Sequence, residues 1–230
     1  MRLHRFYINT PLSIGQSSIN IDDEKLVHQW RNVFRLKEGD SVIVFDGSGM
    51  ECTAEIAQLH GKSASLDIQD SRERPAFSKK VHLFAAVIKK DKFEWLVEKA
   101  TELGVTSITP VVSERSHLNK LNPDRIFAIV KEASEQSGRG FLPEIASATE
   151  LGSLELKGKV IALHGAAEVS FTRDVIADSE EVSMLVGPEG GWGERDLAFF
   201  KEHNIPVYGL GSLTLRAETA ALAAVSLVML

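Results

Sequence analysis

Leu185-Val186-Gly187-Pro188-Glu189-Gly190-Gly191-Trp192 closes the apolar run Val182 to Val186, and Leu210-Gly211-Ser212-Leu213-Thr214-Leu215-Arg216-Ala217-Glu218-Thr219-Ala220 closes the run Pro206 to Leu210. Each run reads as a short buried strand, and each is followed by a segment with helical character. Both glycine turns therefore stand at strand-to-helix junctions, where open parallel sheets bind ligands. A tight turn alone accounts for any one of these glycines. Gly187, Gly190 and Gly191 together, with Glu189 among them and a second turn nearby, predict a small-molecule pocket, because no Cβ keeps a ligand off the backbone.

Upstream of these turns, strands and helices alternate. Val81 to Ile88 is a nearly continuous apolar run, and Phe93, Leu96, Val97, Ala100 and Leu103 mark one face of a helix that stops at Gly104. Val105 to Val112 reads as the next strand, Asn122-Pro123 as a helix start with Ile126, Ile129, Val130 and Ala133 on its apolar face, and Lys159 to His164 as a further strand. This order predicts an α/β domain over residues 73–230, its mostly parallel sheet covered by helices on both faces. The last segment, Ala217 to Leu230, is apolar almost all round, which predicts burial on every side, in its own domain or as a dimer interface.

The residues before it read differently. Asp22 to Leu36 has helical spacing, Val42 to Phe45 and Met50, Cys52, Ala54, Ile56 flank an Asp46-Gly47-Ser48-Gly49 turn, and Ala64, Leu66, Ile68 alternate after His60-Gly61-Lys62. A small, mainly antiparallel β module over residues 1–72 follows, with Ser71 to Lys80, polar and broken by Pro75, as the linker.

Composition narrows the function. The chain of 230 residues is 43% hydrophobic and 25% charged, with a net charge of −6. Such a balance argues against indiscriminate coating of nucleic acid but leaves room for a local basic patch. Cys52 is the single cysteine, and His28, His60, His82, His117, His164 and His203 lack zinc-site spacing, so neither a disulfide framework nor a metal site is expected. Rossmann, Walker A and G-x-S-x-G patterns are missing. Met1-Arg2-Leu3-His4-Arg5 leads into no long apolar run and Ala217 to Leu230 is too short to span a bilayer, so a cytoplasmic protein with no membrane partner is expected.

Charged residues gather at the predicted strand and helix ends. Lys89, Lys90, Arg115 and His117 follow strands and would form a phosphate-binding rim if they cluster. Glu135-Gln136-Ser137-Gly138-Arg139-Gly140 ends one helix, where Arg139 also suits the negative dipole end. Arg216 and Glu218 open the final helix. Spacing alone leaves their roles open between site and surface.

Taken together, Leu185 to Gly191, Leu215 to Ala220, Glu135 to Arg139, Glu98-Lys99-Ala100-Thr101-Glu102-Leu103-Gly104-Val105, Arg5-Phe6-Tyr7 and Val33-Phe34-Arg35-Leu36-Lys37-Glu38-Gly39-Asp40 resemble the bacterial 16S rRNA (uracil-N3)-methyltransferase family of the SPOUT class. The resemblance implies a PUA-like β-barrel RNA-binding domain over 1–72 and a SPOUT α/β domain with a C-terminal trefoil knot over 73–230. It also implies S-adenosylmethionine as cofactor, 16S rRNA of the small ribosomal subunit as substrate, and a homodimer. Carried onto this chain, the cofactor-binding residues are Leu163, His164, Gly165, Val186, Gly187, Glu189, Gly190, Gly191, Leu210, Gly211, Leu215, Arg216, Ala217, Thr219 and Ala220. RNA binding falls to Arg5, Arg35, Lys37, Lys89, Lys90, Arg115 and Arg139. One departure stands out: where the family usually has an arginine two residues before its final Leu-Arg, this chain has Leu213.

The chemistry suggests catalytic groups. Uracil N3 loses its proton only well above neutral pH, so it needs a base or stabilisation of its anion. Arg139 or Arg216 can supply the second and Glu189 the first, though Glu189 can equally be a loop-fixing carboxylate. Two rival readings share the fold: a non-catalytic RNA-binding or ribosome assembly factor, and a SPOUT methyltransferase with a different RNA target.

Overall fold

The computed structural model describes residues 3–117 and 120–230. The chain packs as two compact units, Met1–Ala76 with Ser134–Leu142, and Phe77–Ala133 with Pro143–Leu230.

In the first unit, β1 (Arg5–Tyr7), β2 (Ser18–Ile21), β3 (Ser41–Phe45), β4 (Met50–His60) and β5 (Ser63–Glu73) form a sheet in the order β1-β3-β4-β5-β2. β1 runs parallel to β3, and the other pairs are antiparallel. Helix α1 (Glu24–Asn32) begins where the Asp23 carboxylate accepts the backbone N–H groups of Lys25 and Leu26, and it buries Leu26, Val27 and Trp30. It stops four residues short of the predicted Leu36. Arg35 takes a left-handed conformation with φ 55°, and the Leu36 N–H turns back to the Trp30 carbonyl at 2.9 Å. Phe6, Trp30, Val42, Val44, Ile56 and Leu66 form the core, with the Phe6 ring 5.2 Å from Trp30 and 5.1 Å from Phe34.

Strand β5 continues into the predicted linker. Ser71 and Arg72 pair with Cys52 and Glu51 across the hairpin, and a cross-strand ion pair between Arg72 and Glu51 gives a polar segment reason to stay extended. Ser134–Leu142 completes this unit. The Gly49 N–H donates to the Gly140 carbonyl at 3.1 Å and Leu142 N–H to Gly47 at 3.1 Å. A Cβ on Gly49, which has φ 107°, would lie 2.4 Å from the Phe141 ring, so the turn needs glycine on both counts.

The second unit is built on a parallel sheet. β6 (Lys80–Ala86), β7 (Ser107–Val112), β8 (Glu144–Ile145), β9 (Thr149–Glu150), β10 (Lys159–Leu163), β11 (Glu181–Val186) and β12 (Val207–Tyr208) lie in the order β12-β10-β11-β6-β7-β8, with β9 also beside β7. Every pairing is parallel. β6 and β11 are buried along almost their whole length, as strands covered on both faces must be.

The helices are α2 (Lys90–Glu102), α3 (Pro123–Ser137), α4 (Glu194–Glu202) and α5 (Ala217–Met229). Asn122 caps α3 by accepting the N–H groups of Asp124 and Arg125. On one face of the sheet Phe84, Val111, Ala162 and Leu185 pack with Trp192, Phe200 of α4 and Ile205. Side chains alternate along a strand, so Leu83 and Met184 face the other side, and α5 packs on β6 and β11 and against α2. Within one chain, a single stripe of α5 is covered. Ala217, Ala221, Ala224, Val225 and Val228 are buried at helical spacing, whereas Thr219 and Leu227 are exposed.

Candidate functional site

Leu163, the last residue of β10, is in register with Val186 of β11 on one side and Tyr208 of β12 on the other. Three adjacent strands therefore end level, and the loops leaving them enclose a cavity of about 480 Å³. Leu163, His164, Gly165 and Ala166 come from the first loop, Val186 to Trp192 from the second, and Tyr208, Leu210, Gly211, Leu213, Thr214 and Leu215 from the third. Ala217 and Ala220 of α5 and Arg115 from the loop after β7 complete the lining.

Hydrogen bonds fix these loops before any ligand arrives. The buried Trp192 indole donates to the Leu163 carbonyl at 2.8 Å and meets Phe200 edge-on at 5.0 Å. His164 donates its N–H to Tyr208 at 2.9 Å, and its Nδ1 accepts the Ala166 N–H at 3.0 Å. The segments after β10 and β12 also lie side by side, Phe171 N–H reaching Gly209 O and Gly209 N–H reaching Val169 O, both at 2.8 Å. A Cβ at Gly187 would stand 3.1 Å from the Trp192 ring, so glycine there lets the indole close over the strand end. Gly191 N–H turns back to Pro188 O at 2.8 Å.

Charge enters the cavity at two points. Arg115 Nη1 donates to the Gly190 carbonyl at 2.9 Å, and the Glu189 carboxylate lies 3.6 Å from His117 Nε2. Much of the remaining wall is aliphatic, supplied by Leu163, Val186, Leu215, Ala217 and Ala220. Flat apolar walls beside exposed loop backbone suit a nucleoside, and a carboxylate at the rim suits a cationic ligand. Among the described residues no group of three or more histidine, cysteine, aspartate or glutamate side chains is placed to hold a metal ion.

Of the cofactor residues read from sequence, all but Arg216 and Thr219 line this cavity. Both exceptions are exposed, Arg216 as the N-cap residue of α5. Pro188, Leu213 and Thr214 of the same two turns also line the cavity, as do Ala166, Trp192 and Tyr208, which the reading did not name for the cofactor, although Trp192 follows the glycine turn directly and Tyr208 lies in the predicted strand. It also placed Arg115 with RNA alone.

The predicted RNA-binding residues are spread over separate settings. Arg35 and Lys37 are exposed in the first unit along a shallow cleft with Arg31 and Leu59. Lys89 and Lys90 are exposed where α2 starts. The Arg5 side chain is 6% exposed, with Nη1 2.6 Å from Glu51 Oε2, so its charge is engaged inside the first unit. Arg139 is also in that unit and 7% exposed; its Nε donates to the Phe141 carbonyl, and its own carbonyl accepts from Arg5 Nη2 at 3.2 Å. Burial pushes the Arg139 guanidinium down to about 10, which still leaves it a cation at neutral pH.

A family model described as an RNA methyltransferase domain matches residues 75–229, and one described as an RNA methyltransferase PUA domain matches residues 31–69. Ribosomal RNA small subunit methyltransferase E of Rickettsia conorii is 31% identical, over 100% of this chain and 96% of its own length. The protein of the same name from Bacillus subtilis is 31% identical over 87% of this chain and 85% of its own. The crystal structure of a ribosomal RNA small subunit methyltransferase E from Neisseria gonorrhoeae bound to S-adenosylmethionine superposes with a TM-score of 0.88 at 28% identity, covering 98% of this chain and 96% of that one.

Proposed function

From the premise that the chain belongs to the RNA methyltransferase family, we propose that it transfers a methyl group from S-adenosylmethionine to N3 of one uridine in 16S rRNA of the small ribosomal subunit. The observation that carries this reading is the cavity at the level ends of β10, β11 and β12, walled by the three loops singled out for the cofactor.

The residues present fit S-adenosylmethionine. Gly187 and Trp192 leave a shaped strand end, aliphatic side chains offer walls for a purine, and the Glu189 carboxylate offers negative charge to a cationic ligand. When bound, the cofactor supplies a methyl group activated by a sulfonium. Holding donor and acceptor in line is the chief work left to such a cavity.

The acceptor needs help of a different kind. Arg139 or Arg216 stabilises the charge that develops on the uracil oxygens as the N3 proton leaves. Arg139 keeps its charge at neutral pH despite burial, and Arg216 presents an exposed guanidinium at the start of α5. Glu189, 3.6 Å from His117, is the candidate base. Residues 1–72 serve as the RNA-binding domain and 73–230 as the catalytic one, in a cytoplasmic homodimer. The target uridine must stand clear of its stack to reach the cavity.

The test is label transfer. Purified protein is mixed with S-adenosylmethionine carrying a labelled methyl group and with small subunits from cells that lack the modification. Label in 16S rRNA is expected, and Arg139→Ala should lower the rate about a hundredfold or more while cofactor binding survives. Loss of cofactor binding in that variant would remove Arg139 from the catalytic role. Bound cofactor with no label by the unaltered protein would assign it another RNA, and neither binding nor label would leave a non-catalytic factor.

A further inference from the structure

The first unit holds a charge arrangement that the cavity chemistry does not use. The side chain of Glu51 on β4 is 2% exposed, and three guanidinium groups converge on it. Arg5 Nη1 lies 2.6 Å from Oε2, Arg74 Nε 3.0 Å from Oε2, and Arg72 donates to Oε1. A single carboxylate does not neutralise three cations. Glu73, between the two outer arginines, points by strand alternation to the opposite face of the hairpin. Asp70 shares the Arg72 face by the same alternation, so the three guanidinium groups meet two carboxylates and the patch keeps one net positive charge on a chain whose total is −6.

Burial divides the arginines by role. Arg5 is 6% exposed and forms the floor, whereas the side chains of Arg72 and Arg74 are 57% and 38% exposed. Arg74 is also held along its stem, since a Cβ on Gly140 would lie 2.9 Å from its Cγ. Arg139 adjoins them, its carbonyl bonded to Arg5. Among the described residues the buried Nε of Arg5 makes no hydrogen bond. Neutralising Glu51 would need only one guanidinium.

We infer that Arg72 and Arg74 form a phosphodiester-binding pair for the RNA strand, pinned by Glu51 beside Arg139. A guanidinium offers a planar fork that matches a phosphate, and Glu51 holds both forks in place before RNA arrives, so less side-chain freedom is lost on binding. Such contacts set the register of the RNA and leave base choice to other groups. The inference rests on the proposed RNA substrate.

The experiment compares the full chain with Arg72→Gln/Arg74→Gln, reading rRNA affinity against salt concentration and the kinetics of methyl transfer. Losing two phosphate contacts should lower the slope of log K against log salt by about 1.4 for single-stranded RNA. KM for rRNA should rise about tenfold, with kcat and S-adenosylmethionine affinity unchanged. Arg72→Lys/Arg74→Lys should restore most of the slope, which a purely structural role would not do. If the double variant fails to fold, Arg72→Gln alone leaves Arg5 and Arg74 on Glu51 and must lower the slope by about 0.7. Unaltered slope and KM in a folded variant overturn the inference while the proposed function stands; an unaltered protein that neither binds nor methylates rRNA contradicts both.

Discussion

At the scale of single residues, Glu51 shows how a charge is set by its surroundings. Burial alone would raise its pKa, but hydrogen bonds from Arg5, Arg74 and Arg72 outweigh burial and hold the carboxyl below its ordinary value. The pairing therefore stabilises the first unit above the ordinary carboxylate range, and that contribution is lost as pH falls through the lowered value. Acid unfolding followed by fluorescence should show this loss below about pH 4. Glu51→Gln should lower stability at neutral pH by about 3 kcal/mol and flatten the acid limb; an unchanged acid limb would show that the pairing carries no linkage. None of this was legible in the sequence. Arg5 reads as a cation near the start, and its partner is 46 residues away. Gly187 was legible, because a glycine cluster at a strand end has few other uses. The Trp192 ring that makes glycine necessary there was not.

At the scale of elements, hydrophobic period identified the main strands and helices well, since it reports which face each one buries. It failed where a cross-strand contact or a left-handed backbone residue decided the boundary. Strand β5 runs three residues into a stretch read as a linker because Ser71 and Arg72 find partners on β4, and α1 stops early because Arg35 reverses the chain. Of α5, apolar almost all round, α2, β6 and β11 cover one stripe within the chain, which leaves the other face to the proposed dimer. The loop after β11 is the element on which the site depends. Gly187→Val would drive a side chain into the Trp192 indole, which holds the Leu163 carbonyl. Calorimetry should show S-adenosylmethionine affinity reduced at least tenfold, with a stability loss of about 1–3 kcal/mol. Unchanged affinity would detach this loop from cofactor binding.

At the scale of the whole molecule, the sequence pattern separated a β-rich beginning from an α/β remainder but gave no sign that Ser134–Leu142 packs with the first unit. They are the last turn of α3 and the residues after it, and bonds with Arg5 and Tyr7 as well as with Gly47 and Gly49 place them. The exposed Leu227 on α5 and Leu230 just after it fit the proposed dimer. Sedimentation should therefore give twice the chain mass, and Leu227→Glu should shift the equilibrium toward monomer; a monomeric unaltered protein would contradict the dimer. The central claim is that the cavity at the strand ends serves methylation at one atom of one nucleotide. Its most direct test is to treat modification-deficient small subunits with the protein and S-adenosylmethionine, then digest the 16S rRNA and identify the methylated nucleoside by mass spectrometry against standards. The account predicts 3-methyluridine at a single position, and methyl on another base, on ribose, or at no position would contradict it.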